Sequence, residues 1–352
     1  MNYLIVGQGL AGTLIGHRLE SAGHRVEFVD APGQTAASTV AAGIVNPITG
    51  RRFVKSWRIE ELIPAARGLY AELEDLLGVT IWYDLPLVRA LFNRGDENDW
   101  FARGGDAAYA AYLIDHPALG TLPDLTAPVH AYAGVGRSAR VDVAALVTAY
   151  RAHLMKRGTL HDVELSYGTL HPTPEGVEVQ GLGYFDRMLF CEGWRARYNP
   201  WFANLPHGGA KGEVLIVRID GPPLDRMFKH RVFLVPQADG TYWVGATNAN
   251  RFADDSPTPE GRTYLRERLA EVLTVPFEVV DHRAAVRPTV RDRRPLLGVH
   301  PDERSLYCFN GLGTKGASLG PLCSQWLFDF LQDGTPLPGE VDIARFDSAA
   351  VR

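Results

Sequence analysis

LIVGQGLAGTLIG, residues 4–16, decides the fold. Leu4, Ile5 and Val6 read as a buried strand, after which Gly7, Gly9 and Gly12 fit G-x-G-x-x-G. In a strand-to-helix turn that holds a dinucleotide, each glycine has its own task. Gly7 allows the sharp turn, and Gly9 lets backbone N–H groups approach a pyrophosphate. Gly12, with Gly16 one turn on, lets the helix lie close to the strands. The anion sits at the helix N-terminus, where unpaired N–H groups and the helix dipole attract it.

The surroundings agree. Leu10, Ala11, Leu14, Ile15, Leu19 and Ala22 follow helical spacing, and Gly23 breaks the helix. Arg25–Asp30, RVEFVD, alternates as a second strand and ends in Asp30. An acidic group about twenty residues past the glycines is placed to accept the ribose hydroxyls. No basic region precedes the apolar run, which argues against a secretory signal.

Composition bounds the function. The 352 residues are 46% hydrophobic and 22% charged, enough for one large domain or two intimate ones. A formal net charge of −5 supplies no general basic field, so no nucleic-acid partner is expected. No apolar stretch reaches the length of a membrane span. Cys191, Cys308 and Cys323 lack C-x-x-C spacing and read as buried thiols of a reducing, cytoplasmic compartment. The histidines show no H-E-x-x-H or similar spacing, so no metal site is expected.

Further along, residues 34–50, QTAASTVAAGIVNPITG, are small and loop-like. Ser38 and Thr39 offer hydroxyls to phosphate, and Ala41, Ala42 and Gly43 allow backbone to lie against a flat ring. Arg51, Arg52 and Lys55 fit either a solvated loop or a cationic wall of a substrate pocket. The spacing predicts a helix over 57–77 capped by Gly78, then strands within Val79–Phe92 interrupted by Pro86. Residues 93–128 break the β-α-β series and read as inserted, with a short helix near Asp106–Leu113. A helix over Val141–Leu154 precedes short strands at Val163–Leu165, Val177–Val179 and Met188–Cys191. Residues 211–246 alternate between Pro/Gly turns as an antiparallel sheet. A helix about Thr258–Leu273 and a strand about Phe277–Ala285 follow. Leu306–Phe309, the turn Asn310–Gly316 and the helix after it repeat the strand-glycine-helix physics of the N-terminus. The tail from Asp333 reads as irregular.

These pieces resemble the FAD-dependent glycine oxidase/D-amino-acid oxidase superfamily. They are VGQGLAGTLIG with Asp30, Ala37–Pro47 (ASTVAAGIVNP), Phe190–Trp194 (FCEGW), Val232–Thr247 (VFLVPQADGTYWVGAT), Val286–Gly298 (VRPTVRDRRPLLG) and Asn310–Pro321 (NGLGTKGASLGP). Six pieces in family order carry the match, which is patchy between residues 51 and 136. The resemblance implies an α/β fold: a Rossmann-like FAD-binding domain of the glutathione-reductase-2 type with an interleaved antiparallel-sheet substrate domain. The expected division is residues 1–50, 137–205 and 281–345 for FAD, and 51–136 and 206–280 for substrate.

It also implies site residues. Gly7, Gly9, Leu10, Ala11 and Gly12 would hold the pyrophosphate, and Asp30 with Ala31 the adenosine ribose. Ser38, Thr39 and Gly43 would lie along the phosphate and flavin, Val163 at the adenine, and Cys191 and Gly193 near the adenosine. Gly311, Leu312, Gly313, Thr314, Lys315 and Gly316 would form the loop at the flavin pyrimidine end. Arg287 matches the carboxylate-binding arginine, although pairing with Asp281 or Asp292 is the structural alternative. The chain departs from the family in two places. Phe233 replaces the tyrosine of the YxxP stretch, and Thr314 replaces an arginine. Val290–Arg294 contains no cysteine, so the FAD is expected to be non-covalent. The implied activity is oxidation of a C–N bond in a small amine or amino acid by hydride transfer to flavin N5, giving an imine that water hydrolyses. Arg287, Thr314, Lys315, Phe233 and Arg52 are the candidate substrate contacts, and oxygen or a carrier the acceptor. A flavin dehydrogenase, a non-catalytic redox-sensing module and a tRNA-modifying enzyme are the other readings.

Overall fold

Asn2–Val6 and Arg25–Val29 are parallel neighbours in a six-stranded sheet, joined by the helix Leu10–Ser21. The structure, a computed structural model, describes residues 1–114 and 125–346. Across this sheet the order is Leu160–His161, Arg25–Val29, Asn2–Val6, Arg187–Phe190, Leu306–Asn310 and Leu296–Val299. All pairs are parallel except the last. Three distant parts of the chain therefore build one nucleotide-type sheet. Helices Leu10–Ser21 and Gly316–Asp333 pack together against it, bridged where Arg18 Nε donates to Ser324 Oγ.

The second sheet has eight strands in the order Phe277–Arg287, Ala210–Ile219, Tyr242–Gly245, Phe233–Pro236, Met227–Lys229, Leu87–Leu91, Ala131–Val135 and Leu113–Ile114. It is antiparallel apart from the Met227–Lys229/Leu87–Leu91 pair. Phe277–Arg287 runs through the boundary expected at residue 281 and stays in this sheet to its end. One hydrophobic core reaches under both sheets, taking in Ile5 and Phe309 from the first and Leu87, Val214 and Trp243 from the second.

Most expected elements stand within a few residues of their predicted bounds. The 57–77 helix begins at Ile59 and ends at Gly78, which adopts φ 67° and donates to Glu74 O. The helix expected over Val141–Leu154 spans Val143–Arg157, with the Asp142 side chain capping Ala145 N. Five readings change. Val163–Leu165 is not a strand; the sheet edge is Leu160–His161, because the last rung is Asp30 N donating to His161 O. The hairpin at Val177–Val179 pairs instead with Leu170–Pro172. Arg25–Val29 is buried on both faces beyond its first residue, so Glu27 lies inside, held by Arg25 and His161. Residues 93–128 contain a helix, Arg94–Gly104, whose Asn93 side chain caps Asp96 N. The expected short helix near Asp106–Leu113 is a single turn, Ala110–Tyr112. Within the same stretch, residues 115–124 lie outside the described residues, as do residues 347–352 of the tail. That tail includes one further turn, Ile343–Phe346.

Candidate active site

Between the two sheets runs a cleft of about 1250 Å³. Gly7, Gly9, Leu10 and Ala11 form its wall at one end. Gly7 has φ +98°, and a Cβ there would lie 2.6 Å from Cys191 O. Gly12 is not on the wall. A Cβ at Gly12 would lie 2.0 Å from Gly7 O, so its role is the close helix–strand approach. Leu10 N donates to Ser38 Oγ (2.9 Å), which places that hydroxyl at the helix N-terminus.

Asp30 closes this end. Its Oδ1 accepts from Gln8 N (2.9 Å) and its Oδ2 from Arg151 (2.7 Å), which also holds Asp162 (2.6 Å). Ala31, Ser38, Thr39, Gly43, Val163, Cys191 and Gly193 line the same stretch. Gly43, at φ +68°, touches Val141 so closely that a Cβ would lie 1.8 Å from its carbonyl oxygen. On the same wall Glu192 is half-buried, and desolvation raises its carboxyl above the usual range; Tyr167 and Asn199 donate to it.

The second glycine turn forms the opposite wall. Leu312, Gly313, Thr314 and Gly316 line the cleft. Gly313 N donates to Pro288 O (3.0 Å), which locks this loop to the Arg287-Pro288 turn. Gly311 lies behind the wall, where a Cβ would meet Val290 at 2.5 Å. Asn310 Nδ2 donates to Gly193 O (2.7 Å), tying this turn to the Glu192-Gly193 turn. Lys315 does not line the cleft. Its Nζ donates to Ser56 Oγ (3.2 Å) and Thr49 Oγ1 (3.4 Å), and burial lowers its pKa. Arg52 is exposed away from the cleft, where its carbonyl accepts from Arg103. Of the cationic trio at 51–55, Lys55 pairs with Glu60. These residues are therefore a solvated turn, and Arg52 and Lys315 do not join the wall.

Arg287 does. Its guanidinium lies flat on Gly212, where a Cβ would sit 2.0 Å from NH2. NH1 donates to Thr247 O (3.3 Å), and no carboxylate lies within ion-pair distance among the described residues. Both structural alternatives are occupied elsewhere: Asp281 by Arg283 (2.6 Å) and Asp292 by Arg345 (3.0 Å). Burial alone lowers the pKa of Arg287, the mark of a desolvated cation without a counterion. Phe233 lines the wall nearby.

Among the lining residues that the sequence did not single out are Trp243 and Lys229. Trp243 reaches across to the Ala37–Val40 turn, its Nε1 donating to Val40 O (2.8 Å). Lys229 sets its ammonium 4.6 Å from the Phe233 ring centroid. Lys229 carries no local motif, and Trp243 lies within the Val232–Thr247 piece without being marked there as a site residue. Only the register of the second sheet, which sets Lys229 opposite Phe233, brings them in.

Comparison with known proteins agrees with this geometry. The family model described as FAD dependent oxidoreductase (DAO) matches residues 2–330. The chain belongs to this family of FAD-dependent oxidoreductases. It is 27% identical to a glycine oxidase of Geobacillus kaustophilus over 93% of this chain and 92% of that sequence. The crystal structure of glycine oxidase from the same organism superposes with a TM-score of 0.81 at 22% identity, covering 98% of this chain and 97% of that one, and shows the shared fold. The tRNA 5-methylaminomethyl-2-thiouridine biosynthesis bifunctional protein MnmC of Paracidovorax citrulli is 28% identical over 97% of this chain. This chain spans 59% of that longer sequence.

The cofactor is FAD. The residues present fit it. Gly7 and Gly12 leave no room for side chains, the Leu10 and Gly316 helices start at the wall, and Asp30 closes the end beside the first glycine turn. No helix among the described residues is long and apolar enough to cross a membrane, and no metal-type cluster occurs among them.

Proposed function

We propose that this oxidoreductase oxidises a C–N bond of a small amine or amino acid that carries a carboxylate. The observation that supports this most is Arg287, a half-buried guanidinium without an anionic partner on the cleft wall. Its planar fork accepts a carboxylate through two parallel hydrogen bonds. Gly212 beneath it and the Pro288–Gly313 link beside it fix the orientation of that fork. Bound FAD supplies the two-electron acceptor for the C–N bond. The protein's own part is orientation: Arg287 anchors one end of the substrate, while Phe233, Trp243 and the Leu312–Thr314 turn shape the space around it and displace water. No residue on this wall is required as a strong base.

The division of labour follows the two sheets, the first for the dinucleotide and the second for the substrate. The three cysteines, free and buried, support a reducing cytoplasmic setting. Anaerobic addition of a panel of amines and amino acids to the FAD-loaded protein tests the reading. Bleaching of the flavin spectrum by a carboxylate-bearing amine is the expected result. A spectrum that no amine or amino acid bleaches would overturn it. Turnover with oxygen against turnover with an artificial acceptor then separates oxidase from dehydrogenase.

A further inference from the structure

Charge is distributed unevenly along the cleft. Every carboxylate on its wall, Asp30, Asp162, Glu164 and Glu192, lies toward the nucleotide end. The wall contributed by the second sheet carries Arg287, Lys229 and Arg231 and no acid. Arg231 is exposed and paired with Glu271 (3.5 Å). Lys229 differs from it. Its one hydrogen bond is to Arg231 O at 3.5 Å, Arg89 stands opposite it across the strand pair, and no carboxylate lies within ion-pair distance among the described residues. Burial first, then Arg89, lowers its pKa to about 8. A half-buried ammonium facing a second cation is unfavourable unless an anion joins them.

Sheet register fixes where this ammonium lies relative to Arg287. Lys229 is opposite Phe233, Phe233 opposite Gly245, and Gly245 opposite Val214. The ammonium leans back over Phe233, while the Arg287 guanidinium covers Gly212, two residues along from Val214. Two strand spacings across and two residues along amount to about 12 Å. Two charge-assisted hydrogen bonds of about 2.8 Å each leave roughly 6 Å for the ligand. A short molecule with an anionic group at each end fills that gap.

We propose that Lys229 is a specificity-determining residue that binds a second anionic group, so that the substrate class is a dianionic amine or amino acid anchored at Arg287 and Lys229. This rests on the reading of Arg287 as a carboxylate site. It also gives a reason for Phe233. A phenyl face at that position, without a hydroxyl, presents its negative quadrupole to the ammonium and holds it over the cleft.

Calorimetric titration of the FAD-loaded protein with acetate and with glutarate, neither an amine, tests this without relying on turnover. Glutarate is expected to bind the wild type at least about tenfold tighter than acetate. Lys229→Met should weaken glutarate roughly 10- to 100-fold and change acetate less than about threefold, and Lys229→Arg should restore most of the difference. Lys229→Met binding glutarate as the wild type does, losing both ligands equally, or a wild type without preference for glutarate, would overturn the proposal. FAD content of each variant reports folding; should Lys229→Met not load FAD, Lys229→Gln replaces it with the same expectations. Arg287→Ala keeps the two readings apart. If it leaves acetate unchanged, the carboxylate reading of Arg287 fails whatever Lys229 does. If it abolishes acetate while Lys229→Met changes nothing, only the second anion site fails.

Discussion

Asp30 and Arg287 both bring a full charge to the same cleft, but their surroundings differ. Asp30 is already answered by Gln8 N and Arg151, and Arg287 only by a carbonyl. On the proposed reading, recognition at the nucleotide end falls to backbone: glycines without room for a Cβ, helix starts, and side chains engaged with one another. At the proposed substrate end it falls to side chains held in place by backbone and left without counterions. A dinucleotide is bulky and offers many contacts, so a rigid backbone mould suits it. A small acid offers few, so each must be a strong, desolvated one.

The largest expected effect sharpens the first half of this contrast. Gly7→Ala adds a Cβ 2.6 Å from Cys191 O at φ +98°. Strain and overpacking together should cost about 2–6 kcal/mol of stability, read by urea unfolding, with loss of FAD. Arg287→Ala comes next. It should weaken a carboxylate-bearing ligand by about 2–5 kcal/mol while FAD content stays at wild-type level. A comparable loss of FAD would break the contrast. Asp30→Ala should do the reverse, weakening FAD by about 1.5–3 kcal/mol in fluorescence titration without altering ligand affinity in the loaded fraction. Gly212→Ala is subtler. Its Cβ would displace the Arg287 guanidinium, costing about 1–3 kcal/mol of ligand binding through one methyl group that touches no ligand itself.

The smallest effect is a pH dependence at Lys229. Its pKa in the folded protein, about 8, lies below the ordinary 10.5. Between these values the unfolded chain binds more protons, so stability of the unliganded protein should rise with pH relative to Lys229→Met. A bound anion favours the ammonium, so glutarate binding at pH 9 should take up a proton and weaken as pH rises. Arg89 stays charged throughout, and His230, whose pKa burial lowers, stays neutral. Calorimetry in two buffers of different ionisation enthalpy measures the uptake.

The sequence made the nucleotide end legible because its signals are local. Gly7, Gly9 and Asp30 declare themselves within one β-α-β unit, and the second glycine turn repeats the same physics. Arg287 was singled out by the resemblance of Val286–Gly298 to the family, and it does lie on the cleft wall. Lys229 and Trp243 were not, because no short pattern distinguishes them; they matter through which strand lies beside which. Lys315 and Arg52 misled for the same reason, since adjacency to a functional loop says nothing about which way a side chain faces. Val163, expected at the adenine and in a strand, lines the cleft but lies outside any strand, because the strand beside Val29 stops where the cleft opens.

The first strand, Asn2–Val6, has Arg25–Val29 on one side and Arg187–Phe190 on the other. On a ribosome adding about 5–20 residues per second, its second neighbour emerges roughly 10–40 s after it does. Leu306–Asn310 and the Gly316–Asp333 helix arrive later still. The Arg187–Phe190 side of this apolar strand is thus covered late. During synthesis it is an open template for other strands, and chaperone occupancy of the nascent chain should peak before residue 190 is exposed.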